Sequence, residues 1–392
     1  MAADIAYGDV SNTPATFADV PGYVATIVST NYTLRAEEHG GNRFWRLYGT
    51  VTDVVGMPPP PTQVAQFQID DPTDLRVDLK RHDLGLATHD GSFSLIDFVG
   101  DKITVDLDSL SVLNGQFAGT PIEIDFDGGK DVDWGAIVGI APPSSLNVLN
   151  DQLIIAGDNG SLSGHDLKIH SSADIVNQAN GVQITSNGNI EIKSDSRVAI
   201  DANSAIAAAN ISLLAEATGL PLVKGLLANA AAEVVVNGAT LQAAGGTVTL
   251  RASTRVDMTG SKAEDGDTFF GNTVAGTVVT SFSSARVNVV GETTIEAATL
   301  GATAEVDTDI EASVEDGTVK VLTVWAAADP RVTIGDNTGT TTIKLSDKLT
   351  AEAKSSLTIN ATAKPGNAND ASVDAAVVNV NVVDVAIPGI VP

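Results

Sequence analysis

Paired apolar residues, two positions apart, recur through most of this chain, and that rhythm limits what it can build. Pairs stand at Leu167/Ile169, Val182/Ile184, Ile190/Ile192 and Val198/Ile200. They return at Val234/Val236, Val248/Leu250, Val256/Met258, Val287/Val289, Val319/Val321, Val332/Ile334, Ile343/Leu345 and Leu357/Ile359. A spacing of two is the period of a β-strand, whose successive side chains point to opposite faces. Ile184, Ile192 and Ile200 follow one another in eight-residue steps. Turn formers fill the gaps, as in Ser186–Asn189 (SNGN) and Ala243–Thr247 (AAGGT).

Two architectures place many short strands at even spacing. One is a hairpin-built sandwich or barrel; the other is a parallel β-solenoid (β-helix), whose coils stack on one another. The short strands, the mid-sized aliphatic inward residues and the many Ala, Thr, Ser and Asn residues suited to tight corners favour the solenoid. Three strands of about eight residues make a coil of roughly 24, within the range of such repeats. The fold expected is therefore all-β, with an irregular β-rich N-terminal domain over 1–150 and a solenoid over 151–392. All four Tyr, Trp45, Trp134 and seven of the ten Phe precede that boundary. The N-terminal region also alternates, in Asn42–Val51 (NRFWRLYGTV) and around Leu75, Val77 and Leu79. Residues 203–232 are rich in Ala and Leu, which predicts a helical excursion there.

Segments such as NGATLQAAGGTVTLRASTRVDMTG and SSARVNVVGETTIEAATLGATAEV resemble the repeat regions of large bacterial exoproteins. These are the filamentous haemagglutinin-type adhesins and related β-strand-repeat surface proteins. The resemblance is one of texture over roughly residues 155–385. It implies an elongated β-solenoid used as stalk, adhesin or filament, at the bacterial surface or outside the cell.

The net charge of −27 favours divalent cations and basic partners and disfavours nucleic acid. The absence of cysteine excludes disulfides and thiolate chemistry. No apolar run is long enough to span a membrane. Met1–Val10 lacks the basic start and apolar run of a signal peptide, so Met1 is either an introduced start or the true start of a chain exported by another route.

The densest charge lies in Pro121–Trp134 (PIEIDFDGGKDVDW), with Glu123, Asp125, Asp127, Asp131 and Asp133 opposed by Lys130. Folded as a hairpin around Gly128–Lys130, its apolar faces register, Phe126 with Val132 and Ile124 with Trp134. The same register sets Asp127 against Asp131 and Asp125 against Asp133. Like charges directly opposite each other are destabilising. A Ca²⁺ ion would relieve the conflict, because it takes six to eight oxygens from flexible carboxylates. These five residues are therefore candidate Ca²⁺ ligands, with a solvated acidic face as the alternative. Trp134 replaces the bidentate Glu that an EF-hand loop needs at its last position. A second acidic loop holds Glu264, Asp265 and Asp267 and reads as a surface turn.

No catalytic or cofactor-binding residue is assigned. The five His are scattered, and neither a nucleophile elbow nor a phosphate loop is present. The C-terminal run sets Val378, Val380 and Val382 against Asn379 and Asn381 and reads as an end without a polar cap. Such an end can accept a second copy, or neighbouring segments of a longer chain, by stacking or strand addition. The function expected is that of a structural subunit of a surface filament, adhesin stalk or matrix, with a glycan or other cell-surface ligand among its partners. The alternative is a carbohydrate-binding or carbohydrate-cleaving β-helix, a polysaccharide lyase or hydrolase, for which an exposed aromatic-plus-acid groove would be the mark.

Overall fold

In the computed structural model the alternating segments are strands, and nearly all pair in parallel. The structure describes residues 3–7, 30–51, 62–69, 71, 73–81, 88–89, 92–93, 102–115, 117–127, 151–162, 164–219, 227–263, 268–269, 272–273, 277–314, 321–336, 339–363 and 372–385. Two twelve-stranded sheets hold most of them. In the first, Leu75–Arg81, Ile122–Asp127, Leu167–Ser171, Asn189–Ser194 and Asn210–Gly219 follow one another in space. Thr240–Ala263, Thr294–Val314 and Thr342–Ala363 continue it. These last three are long enough to enter two parts of the sheet, which curls into a half-barrel. The second sheet runs from Lys102–Asp106 through Gln152–Ala156, Asp174–Asn177, Arg197–Ile200, Leu227–Asn237 and Thr277–Val290 to Val321–Ile334.

Pairing is in register, so like residues stack into ladders. One ladder runs Leu75–Ile122–Leu167–Ile190–Ile211–Val248–Leu300. Every member is at most 1% exposed. Another runs Ile103–Leu153–Ile175–Val198–Val234–Val287–Val332 in the second sheet, all fully buried. The inward aliphatics of both sheets form one core. Burying each such side chain is worth roughly 1.5–3 kcal/mol relative to leaving it in water.

The eight-residue steps of the sequence have a specific meaning here. Ile184 and Ile192 sit in different parts of the first sheet, in Gln183–Ser186 and Asn189–Ser194. Ile200 sits in Arg197–Ile200 of the second. Eight residues therefore carry the chain from one strand to the next around the core. Return to the same ladder takes 23 residues from Leu167 to Ile190 and 21 from Ile190 to Ile211. Later returns are longer, with 52 residues from Val248 to Leu300.

One corner shows why glycine is needed. The pairing of Thr240–Ala263 with Thr294–Val314 shifts register between Ala243 and Thr247. There Gly245 adopts φ +75°, a left-handed conformation, and a Cβ on Gly246 would collide with the Ala209 carbonyl oxygen. Only glycine meets both demands without strain.

The expected helical excursion over 203–232 is not found among the described residues. Ala205–Ala207, Asn210–Gly219 and Leu227–Asn237 are strands, and residues 220–226 lie outside the described set. Ile211, Leu213, Ala215 and Ala217 are buried in alternation. Helix propensity is a weak prior that tertiary context overrides. Two flanking strands supply hydrogen bonds to this segment, and alanine suits the narrow interior.

Strands from either side of residue 150 pair directly, Lys102–Asp106 with Gln152–Ala156 and Ile122–Asp127 with Leu167–Ser171. Thr30–His39, Asn42–Val51 and Thr62–Gln68 form an antiparallel meander at the edge of the second sheet. A 3₁₀ helix, Leu107–Leu113, buries Leu107, Leu110 and Leu113. Next to it, Asn114 Nδ2 donates to the Ser161 carbonyl at 2.8 Å, on the edge strand Gly160–Leu162.

Leu213→Ala removes one link of a ladder and is expected to cost about 2–5 kcal/mol. Ser212→Ala, on the outer face, should stay within about 0.5 kcal/mol. Urea denaturation of both variants measures the contrast.

Candidate functional site

The acidic stretch lies where the ladders place it. Ile122, Ile124 and Phe126 point inward, so Glu123, Asp125 and Asp127 project from the opposite face. Both edges of Ile122–Asp127 are taken, by Leu75–Arg81 on one side and Leu167–Ser171 on the other. The hairpin expected from the sequence therefore has no edge on which to form. Long-range parallel pairing won over local hairpin closure because it continues the aliphatic ladders on both sides. Asp131 and Asp133 lie outside the described residues.

The cross-strand neighbours of these carboxylates are mostly basic. Lys168 Nζ reaches Glu123 Oε1 at 2.8 Å. Arg76 Nη2 lies 3.0 Å from Asp125 Oδ2, and its Nε lies 2.8 Å from Asp78. Ser172 Oγ donates to Asp127 at 3.5 Å. Glu123 and Asp125 thus have their charge met by protein groups. Among the described residues no three His, Asp or Glu are grouped to hold a metal ion.

The ion pairs continue from strand to strand. Lys193 Nζ lies 2.7 Å from Glu216, Arg251 Nη1 lies 3.6 Å from Glu216, and Arg251 Nη2 lies 3.2 Å from Glu305. A shallow polar depression lies among them, lined by Glu123, Asp125, Lys168, His170, Glu191 and Lys193.

His170 is the chemically distinctive group of this face. Its Nε2 lies 3.2 Å from Asp195 Oδ1 and its Nδ1 lies 3.6 Å from Asp125 Oδ1. The hydrogen bond to Asp195 raises its pKa above the ordinary 6.5; burial opposes this, and the charges of Asp195 and Asp125 add to it. Partial burial pushes the Asp125 carboxyl above the usual range against the pull of Arg76. With a carboxylate near each ring nitrogen, the imidazole bridges neighbouring strands. His165 is fully buried instead, with Nδ1 2.7 Å from the Thr120 carbonyl and Nε2 3.1 Å from the Leu113 carbonyl.

Of the C-terminal residues singled out, Val378 takes the register position of Ala327 and Val382 that of Arg331. The Val380 amide donates to the Ala328 carbonyl at 3.1 Å. Val383 aligns with the inward Val332. At this end Ser355 Oγ donates to Asn381 Oδ1 at 2.8 Å, from the last strand of the first sheet to the break between Ser372–Asn379 and Val382–Val385. Ser355 occupies the register position of buried Val306.

Comparison with protein-family models, with characterised proteins and with solved structures gives no match.

A His whose pKa is raised on folding stabilises the fold fully below its unfolded value and loses that contribution as pH rises through the folded one. The protein should therefore lose stability as pH rises above about 6.5, relative to a His170→Gln variant, by on the order of 0.5 kcal/mol, the scale of exposed pairs. Paired chemical denaturation across that rise measures the difference.

Proposed function

We propose that this chain is a structural β-solenoid of the bacterial surface or extracellular matrix, and that its C-terminal rung receives a strand from a second copy. The observation that carries this reading is the loss of burial at the last rung. Val332 is fully buried, whereas Val383, stacked on it, is 47% exposed. In the first sheet Ile295, Leu300 and Ile310 are buried, and their partners Ile343, Leu349 and Ile359 are only partly covered. An aliphatic ladder that continues to the last described strand, with that strand's outer edge unpaired among the described residues, suits strand addition. A repeated contact of this kind that does not close gives a filament.

The start of the array is better covered, by the 3₁₀ helix and the antiparallel meander. That asymmetry supports growth at the C-terminal rung. The Ser355–Asn381 bridge covers only part of the open end. The acidic composition and the absence of cysteine agree with an extracellular place.

Light scattering after size exclusion, with negative-stain imaging, should show assembly that increases with protein concentration. Val383→Lys places a charge on the open rung and should return the protein to monomers with an unchanged circular dichroism spectrum. A wild-type protein that stays monomeric at every concentration overturns the reading.

A further inference from the structure

Among the described residues five large apolar side chains are exposed: Phe67, Phe282, Trp325, Val380 and Val383. The two valines lie at the last rung, and Phe67 lies in the edge strand Thr62–Gln68. Phe282 and Trp325 differ, because they stand on adjacent strands of the second sheet whose edges are both paired, Trp325 on the strand next to the last. They are 43% and 46% exposed. Their ring centroids lie 5.8 Å apart at 64°, so one ring forms the floor and the other the wall of a corner.

Two positions along each strand, on the same face, stand Ser284 and Ala327; two further on stand Arg286 and Asp329. The register sets Ala327 beside Phe282 and Asp329 beside Ser284, so at about 3.3 Å per residue the carboxylate lies roughly 7 Å along the sheet from Phe282 and roughly 13 Å from Trp325, with the small side chains of Ala327 and Ser284 on the same face. Arg286 Nη2 lies 2.9 Å from Asp329 Oδ2, and Arg331 Nη2 lies 3.4 Å from Asp329 Oδ1. The fixed carboxylate and guanidinium groups offer planar, bidentate acceptors and donors.

We propose that this face binds a short neutral oligosaccharide, stacked on Phe282 and Trp325 and hydrogen-bonded through its hydroxyls to Arg286 and Asp329. The apolar C–H face of a pyranose ring complements the negative π face of an aromatic side chain. Its equatorial hydroxyls suit the adjoining charged pair. Other occupants fit less well. A peptide strand finds no free backbone edge here. A second copy of the chain needs roughly 800 Å² per partner, whereas two half-exposed rings offer on the order of 200 Å². A polyanionic glycan meets a net charge of −27 and guanidinium groups already facing Asp329. The assignment is independent of assembly at the last rung.

The test uses the full chain with cellotetraose, mannotetraose and galactotetraose, and with sialylated and sulfated oligosaccharides as anionic probes. Tryptophan fluorescence and isothermal titration should show saturable binding of at least one neutral probe, with Kd below about 1 mM. Trp325→Ala should weaken it at least about tenfold. Ala327→Arg, which fills the floor and leaves both rings in place, should do the same, so a folding defect in one variant does not decide the result. Equal thermal midpoints check both variants. No binding by any neutral probe, binding by the anionic probes alone, or binding unchanged in both variants overturns the proposal. So does a dimer that Trp325→Ala dissolves.

Discussion

In-register parallel pairing is the constraint on which the rest of the structure depends. Once Leu167 stacks on Ile122 and Ile190 on Leu167, each inward position must repeat its chemistry from strand to strand. A polar residue placed inward within a ladder would lose water and need a partner. Ser194 and Ser186 show one way in which that demand is met. Ser194 Oγ donates to the Ala173 carbonyl at 2.8 Å, and Ser186 Oγ donates to the His165 carbonyl at 2.7 Å. These hydroxyls tie corners to the preceding strands.

The same register governs the outer face with the opposite preference. Parallel sheets are usually covered on both faces. Here one face meets the core and the other meets water, so the exposed ladders must manage stacked charge. Like charges would repel at every step. Alternation of Arg76, Glu123, Lys168 and Glu191 along one column turns the stack into attraction. The adjoining column is less regular, with Asp78 against Asp125. Arg76 and His170 compensate there, each reaching a carboxylate from its own strand. Each exposed pair is worth little alone; their collective value is that they make the register chemically consistent.

The ends and the faces of such an array offer different chemistry. An end exposes strand edges and half-covered aliphatics and so favours more of the same structure. A face has every backbone group paired and can act only through side chains. Val383 belongs to the first kind of surface, and the corner of Phe282 and Trp325 to the second.

Period-two alternation was legible from the sequence because it records which side chains lose water, a local property of each strand. It determined the all-β class, the inward residues and the placement of breaks such as the bend at Asn187–Gly188; Gly245–Gly246, read as a turn, is a register shift inside the strand Thr240–Ala263. The candidate acidic face was legible as charge, since Glu123, Asp125 and Asp127 alternate with Ile122, Ile124 and Phe126. What the sequence could not determine was which strand lies beside which. Parallel partners 23, 45 or 52 residues apart leave no local mark, because any aliphatic pair can stack on any other. Only the tertiary structure decided that Asp125 meets Arg76 and His170, and that Phe282 meets Trp325. Those contacts depend on cross-strand register, which the summed packing of the whole ladder sets and no single segment encodes.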